Sequence, residues 1–448
     1  MKEIRIGLLG CGTIGAGVVK LLRRNGALLE RKLGARLRLV GVAERRSEAL
    51  RALGLGPELA SPNPVALVER GDVDLVVELF GGYEPAGSLI LKALQAGKDV
   101  VTANKALLAE HGARIFKAAA RSGAGIGFEA SVGGGIPIIR ALRESLAGDR
   151  HRSVYGIVNG TCNSILTTMS EQGREFAEAL AEAKRIGLAE ANPALDIDGH
   201  DAAHKLCLLA ALAFGVILTP AQVYTEGIGA VTQTDIACAR ELGYAIKLLA
   251  IAKDEDGAIE ARVHPTMVPQ NHLLASVRGA FNAINVHSEA LGSTMYFGLG
   301  AGEMPTATAV VADILDLARR RLNACASGSH PLGYPTDLLR KARVKPMGDL
   351  VCECYLRFMV DDRPGVLGSI ASVLGRHGIS IASVIQQGRG KETTVPVIMR
   401  THEAPERNLM RALGAIRRLK MVRTRPVFIR IEDRLQAAVG SGDGSQKS

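Results

Sequence analysis

Apolar positions change their period several times along the chain. Residues 4–9 are almost wholly apolar and end in a glycine-rich stretch, Gly10-Cys11-Gly12-Thr13-Ile14-Gly15, after which apolar residues recur at helical spacing through Leu22. The pattern predicts strand, tight turn and helix. Further strand-like runs at 37–43, 74–80, 99–102 and 125–128 are separated by helical stretches, and that alternation builds a parallel, doubly wound sheet. Beyond about residue 140 the character changes. Residues 155–158 read as a strand, and 176–186 and 201–214 as helices of a separate α+β region. Residues 326–350 are rich in Gly, Pro, Ser and basic side chains and read as a linker, loosest at 327–331. A compact run follows: strand 353–360, helix 365–377, strands 379–385 and 395–400, helix 406–419, strand 426–431. That βαββαβ order is the ferredoxin-like arrangement.

The fold class expected is therefore α/β, with a Rossmann-type doubly wound sheet over 1–135, a central α+β domain for catalysis and dimerisation over 136–330, a linker at 331–350 and a small βαββαβ domain over 351–432. A helix around 305–325 is expected to pack back on the first domain. The tail at 433–448 ends in a Gly/Ser-rich stretch expected to be disordered.

Composition narrows the class. A length of 448 residues implies two to four domains, and 47% hydrophobic with 22% charged residues leaves no room for a disordered or fibrous chain. Glycine, at 51 residues, exceeds the usual roughly 7% and clusters in turns. The seven cysteines are scattered and lack CxxC spacing, which argues against a disulfide scaffold or a zinc ribbon. The longest apolar run, 206–218, falls short of the roughly 20 residues a membrane helix needs. No signal-peptide pattern opens the chain, so a cytoplasmic setting is expected. The net charge of +10 comes with only 4% aromatic residues and no basic block with stacking side chains. Nucleic acid is not an expected partner; anionic small molecules are.

Three constellations carry candidate chemistry. In the first turn, glycines at 10, 12 and 15 allow a tight bend, close approach of a pyrophosphate and close helix packing, with phosphate at the helix N-terminus. After the second strand, Glu44 suits a ribose 2′-hydroxyl, whereas Arg45 and Arg46 suit a 2′-phosphate; the two arginines favour NADP, with NAD the alternative. Lys105 follows a strand at the carboxyl edge of the sheet, where it meets ligands or simply solvent. The densest cluster runs from Glu190 through Asp196 to Asp201 and Lys205. Asp201 and Lys205 share one helix face, and burial at the mouth of an apolar helix would turn a surface ion pair into a usable acid or base. His200 and His204 make an HDxxH pattern, but a third zinc ligand is not evident.

Together the glycine turn, the TANK of 102–105, the EASVGGGIP of 129–137, the NGTCN of 159–163 and the stretch from Glu190 to Lys205 resemble homoserine dehydrogenase, in its longer form with a C-terminal ACT domain. The resemblance spans nearly the whole chain and departs at Cys162, where the family often carries threonine. It implies reversible reduction of L-aspartate 4-semialdehyde to L-homoserine with NADPH or NADH, toward threonine and methionine. Lys205 would be the acid/base, Asp201 its positioning partner and Lys105 a second proton-transfer candidate; Glu190, Asp196, Gly160 and Thr161 would bind substrate. Gly10, Gly12, Thr13, Ile14, Gly15, Arg45, Arg46, Phe80, Gly81 and Lys105 would hold the cofactor. A sodium ion would sit on the Glu129 carboxylate and the carbonyls of Val132, Gly134 and Ile136, in a loop that equally reads as a glycine hinge. Asp361, Asp362, Gly365, Val366 and Leu367 would form an ACT effector turn, with threonine as effector, and ACT pairing would give a homodimer or homotetramer. Two other readings remain: an amino-acid sensor on a non-catalytic body, and a different semialdehyde reductase.

Overall fold

The structure, a computed structural model, describes residues 2–323, 330–386, 394–433 and 435. Residues 326–329 of the expected linker and the 440–448 tail lie outside them, as does Cys325. Contacts gather the described residues into two units. The first is drawn from Met1–Gly160, His200–Val223 and Ala280–Ala342, the second from Thr161–Gly199, Tyr224–Gly279 and Arg343–Ser448.

Unit one contains the parallel sheet. Strands β1 (Glu3–Leu9), β2 (Arg36–Ala43), β3 (Leu75–Glu78), β4 (Asp99–Thr102) and β5 (Ile126–Gly127) lie in the order β2-β1-β3-β4-β5. β3 and β4 are buried along their whole length, as expected of strands covered on both faces. Because β1 has β2 on one side and β3 on the other, the connections leave it in opposite directions. The carboxyl ends of β1 and β3 thus flank a topological switch point, where open α/β sheets bind ligands. Helix α1 (Thr13–Arg24) follows β1 and α2 (Lys105–Ser122) follows β4. Ile6, Leu8, Val77 and Val101 of the sheet share a core with Val18 of α1 and with Val310 and Ile314 of the long helix Glu303–Leu322. A Cβ on Gly17 would lie 2.9 Å from the Ala307 side chain, so glycine permits that helix crossing.

The same unit holds β6 (His151–Ile157) and α3 (His200–Phe214). From Asp201 to Phe214 every residue of α3 is buried, as for a helix that is apolar all round. Strand Phe281–Ser288 pairs antiparallel with β6 and with Gly292–Leu299.

Unit two contains the βαββαβ module. Strands Val427–Ile431, Val351–Asp361, Thr394–Thr401 and Ile381–Gln386 lie side by side, all antiparallel. Helices Val366–Arg376 and Glu406–Ile416 contribute Ile370, Leu374, Leu409 and Ile416 to one core with Leu356 and Phe358. The sheet continues into a long hairpin, Tyr244–Glu255 with Ala258–Pro269, through parallel pairs Thr266 to Arg430 and Met267 to Ile431. The pattern of apolar residues does not reveal that hairpin. Its strands are buried on both faces over most of their length, so they lack the alternation of a half-exposed strand.

Within the stretch expected as a linker, Arg340–Lys341 pairs with Val216–Ile217 in unit one. In unit two, Arg343–Val344 pairs with Ala258–Ile259. Among the described residues no helix is long and apolar enough to cross a membrane.

Candidate active site

Parallel strands deliver their carboxyl ends to one edge, and there the glycine turn, Glu44 and Phe80 come together. Gly10 adopts φ +95°, and its N–H donates to Ala43 O at 2.9 Å. A Cβ on Gly15 would stand 2.2 Å from the Gly10 carbonyl oxygen, whereas the nearest atom to one on Gly12 is 3.9 Å away. Gly15 is thus required by helix packing, and Gly12 leaves open backbone. No side chain of the described residues caps the N-terminus of α1, where Thr13 and Ile14 begin the helix, so its amides face outward for an anion. A cavity of about 730 Å³ is lined by Gly10, Gly12, Glu44, Arg46, Phe80 and Gly81, among others. Arg45 also lines it. Glu44 accepts from Cys11 N–H at 3.0 Å and from both ends of the Arg46 guanidinium at 3.0 and 3.2 Å. The Arg46 hydrogen bonds lower its pKa to about 2, and the pair cancels the carboxylate that would repel a phosphate.

A second carboxylate organises the next two loops. Glu78 is fully buried and accepts from Phe80 N–H at 2.7 Å, Gly81 N–H at 3.2 Å and the Thr102 hydroxyl at 2.6 Å. Burial pushes its pKa up against those bonds. Thr102 then receives the Asn104 N–H, and the Asn104 side chain donates to Gly82 O at 2.6 Å while capping α2 at Leu107 N–H. Lys105 is fixed as the first residue of that helix. Sequence reasoning assigned Glu78 no role; the available signal was a carboxylate inside an otherwise apolar strand.

Asp201 is the hub of the remaining chemistry in unit one. Its Oδ2 accepts from Lys205 Nζ at 2.6 Å and from the Asn159 amide at 2.8 Å, and its Oδ1 lies 3.2 Å from Lys105 Nζ. Lys205 Nζ also donates to Val158 O at 2.6 Å, which leaves one ammonium N–H for a ligand. Val158 and Asn159 directly follow β6, so the end of that strand and the start of α3 form one polar cluster. Asp201 and Lys205 are buried, while the Lys105 side chain is 36% exposed. Burial alone would raise the Asp201 pKa, but the charges of Lys205 and Lys105 and the hydrogen bonds hold the carboxyl well below the usual range. Of the HDxxH pair, His204 is buried and His200 exposed, and no group of three or more potential metal-binding His, Cys, Asp or Glu side chains occurs among the described residues.

The other expected residues fall in several places. Gly160 begins helix Gly160–Gln172, and the Thr161 hydroxyl donates to Leu188 O at 3.1 Å. The Cys162 thiol donates to Asp196 O at 3.1 Å, tying the same helix start to the loop that carries Glu190, which is exposed. Thr161, Glu190 and Asp196 belong to unit two. In unit one the Glu129 carboxylate accepts from the Ile139 and Arg140 amides at 2.8 and 3.0 Å. Val132, Gly134 and Ile136 follow it in the same turn, where a Cβ on Gly134 would sit 2.4 Å from Gly300 O. Asp313 accepts the Glu129 N–H at 2.8 Å, and burial together with the Glu129 charge raises its pKa to about 7. In the C-terminal module, Asp361, Asp362, Gly365, Val366 and Leu367 line a cavity of about 250 Å³. Gly365, at φ +85°, opens the following helix, and no described side chain caps it.

Comparison with known proteins gives a consistent picture. Residues 10–129 match the family described as homoserine dehydrogenase, NAD binding domain, residues 137–315 match homoserine dehydrogenase, and residues 355–419 match the ACT domain. A homoserine dehydrogenase of Neisseria gonorrhoeae is 43% identical over 432 residues, covering 96% of this chain and 99% of that protein. One from Pseudomonas aeruginosa is 42% identical over 433 residues, with 96% and 99% covered. The crystal structure of a homoserine dehydrogenase from Thiobacillus denitrificans superposes with a TM-score of 0.91 at 44% identity, covering 97% of this chain and 99% of that one. A hyperthermophilic archaeal homoserine dehydrogenase in complex with NADPH aligns at TM-score 0.62 and 28% identity, over 70% of this chain and 97% of that one.

Proposed function

The chain belongs to the homoserine dehydrogenase family of oxidoreductases, with a nicotinamide-binding domain and an ACT domain, and from that premise we propose a specific reaction, cofactor and regulation. It reduces L-aspartate 4-semialdehyde reversibly to L-homoserine with NADPH, in the cytoplasm, on the route to threonine and methionine. The observation that carries the mechanism is Asp201 held between Lys205 and Lys105.

Bound nicotinamide would supply a hydride to the aldehyde carbon. Negative charge then gathers on the carbonyl oxygen, and the free N–H of Lys205 stabilises it and gives up its proton to form the hydroxyl. Asp201 remains ionised and, through its hydrogen bond, keeps the Lys205 side chain aimed. Lys105, more exposed and bonded to the same carboxylate, is the second proton donor. Glu190, with Asp196, Gly160 and Thr161, holds the substrate's amino-acid end.

The open space beside Gly12, where an added Cβ would have only the Arg46 guanidinium at 3.9 Å, together with the uncapped start of α1, supports a pyrophosphate at the glycine turn. Arg45 and Arg46 both line the cavity at that turn, and a guanidinium suits a 2′-phosphate, which supports NADP over NAD. The buried Glu129 carboxylate stands at the start of the loop that carries Val132, Gly134 and Ile136, which supports a cation site there. Glu129 and the carbonyls of Val132, Gly134 and Ile136 would hold sodium, a hard ion that prefers oxygen. Threonine would bind at the 361–367 turn, with ACT modules paired in a dimer or tetramer.

Initial rates of homoserine-dependent reduction of NAD+ and NADP+, measured separately with and without L-threonine, test the whole reading. Turnover with a higher kcat/KM for NADP+ and inhibition by threonine is expected. Absence of homoserine-dependent turnover overturns the reaction, and a preference for NAD+ overturns the cofactor assignment.

A further inference from the structure

The C-terminal module carries a pair of thiols that the reaction does not use. Cys352 and Cys354 are two residues apart in strand Val351–Asp361, so their side chains leave one face of the sheet. Their sulfur atoms lie 3.8 Å apart. Both side chains are buried, Cys354 the more so, and Cys352 lines a cleft of about 670 Å³ together with Arg262, Glu260, Glu432 and His402. A small oxidant entering that cleft meets Cys352 first.

The two sulfurs are chemically unequal. The hydrogen bond with Cys354 draws the Cys352 thiol below its usual pKa, burial opposes this, and the guanidinium charges of Arg262 and Arg430 add to the lowering. The same bond and deeper burial push the Cys354 thiol well up. Cys352 at the cleft wall is the accessible thiol of the pair, two nearby guanidinium charges favour its thiolate although the Glu406 carboxylate opposes them, and a neighbouring thiol can resolve its oxidised form.

We infer that Cys352 and Cys354 form a reversible redox site, oxidised by hydroperoxides to an intrastrand disulfide. The Cys352 thiolate attacks one peroxide oxygen, the O–O bond breaks, and Cys352 becomes a sulfenic acid while the other oxygen leaves as water or alcohol. The Cys354 sulfur then attacks the Cys352 sulfur, the S–O bond breaks, and water leaves as the S–S bond forms. Two thiols have lost two hydrogens, and two electrons have reduced the peroxide. Two strand residues span roughly 6.6 Å, near the upper end of the Cα separations a disulfide accepts, roughly 4.4–6.8 Å. Such a bond is strained and easily reduced, which suits a switch better than a staple. Closing it pulls on the pairs Cys352 to Ala404 and Cys354 to Arg430, and so on the edge where this module joins the hairpin.

The test treats the reduced full-length chain with hydrogen peroxide, blocks free thiols in denaturant, and examines the tryptic peptide that spans both cysteines. That peptide is expected to lose two hydrogens and take up no blocking reagent, with dithiothreitol restoring two blocked thiols. The Cys354→Ser variant should stop at a sulfenic acid on Cys352 that dimedone traps, and Cys352→Ser should leave Cys354 unoxidised. Amide exchange in strand Val351–Asp361 should rise several-fold on oxidation of the wild type and stay unchanged in either variant. Two fully blocked thiols after peroxide treatment overturn the proposal, as does a sulfinic acid on Cys352 without the disulfide.

Discussion

Asp201 touches two lysine ammonium groups and an amide from a position that water hardly reaches. Taking a carboxylate out of water is costly, and only the paired charges make it tolerable. Replacing it with asparagine removes the negative charge and leaves the Lys205 ammonium buried without a counter-ion. The Asp201→Asn variant should lose about 3–5 kcal/mol at neutral pH, the usual cost of breaking a buried pair, as read by denaturant titration. The pH dependence has a definite sign. The folded-state pKa of Asp201 is depressed, so its contribution is fully present above the unfolded carboxylate value, about 3.9, and is lost as pH falls through the folded value. The stability gap between wild type and variant should therefore be constant from neutral pH down to about 4 and narrow below it. A gap that widens on acidification would contradict the pairing. In the sequence, the i, i+4 spacing of Asp201 and Lys205 already pointed to this pair. The roles of Asn159 and Val158 were not readable there, because each depends on a neighbour far along the chain.

At the scale of elements, the glycine turn makes the sharpest statement. Gly15→Ala puts a methyl group 2.2 Å from the Gly10 carbonyl oxygen, so β1 and α1 must separate; a loss of about 1–3 kcal/mol is expected, together with loss of NADPH binding. Gly12→Ala meets no close atom in the protein, so its melting temperature should stay near wild type while NADPH affinity falls at least about tenfold, or roughly 1.4 kcal/mol. Equal effects of the two changes on stability would contradict the assignment. The parallel sheet, the buried helix α3 and the βαββαβ module were all readable from sequence, since each has a strong local period or a marked turn. The hairpin Tyr244–Glu255 with Ala258–Pro269 was not: a strand buried on both faces has the apolar density of a buried helix, and only its partners distinguish them.

For the molecule as a whole, the C-terminal module is more than an appendage. Its strand Val427–Ile431 extends the hairpin sheet, and Glu432 takes the buried Arg262 at 2.7 Å and Lys253 at 2.6 Å. Deleting everything after residue 345 strips Arg262 of that carboxylate. The shortened chain should therefore be both insensitive to threonine and less stable, by about 3–5 kcal/mol for the broken pair alone. A point change in the effector turn, Asp361→Ala, should abolish inhibition while sparing turnover; retained threonine inhibition in the truncated chain would contradict regulation through this module. The central claim is that the Lys205 ammonium, aimed by Asp201, protonates the product oxygen. Its most direct test is the kcat for homoserine-dependent reduction of NADP+ by the Lys205→Ala variant, alongside its affinity for NADPH. A fall in kcat of about 100- to 10,000-fold with NADPH affinity within twofold of wild type is the result predicted here, and near-native turnover would contradict it.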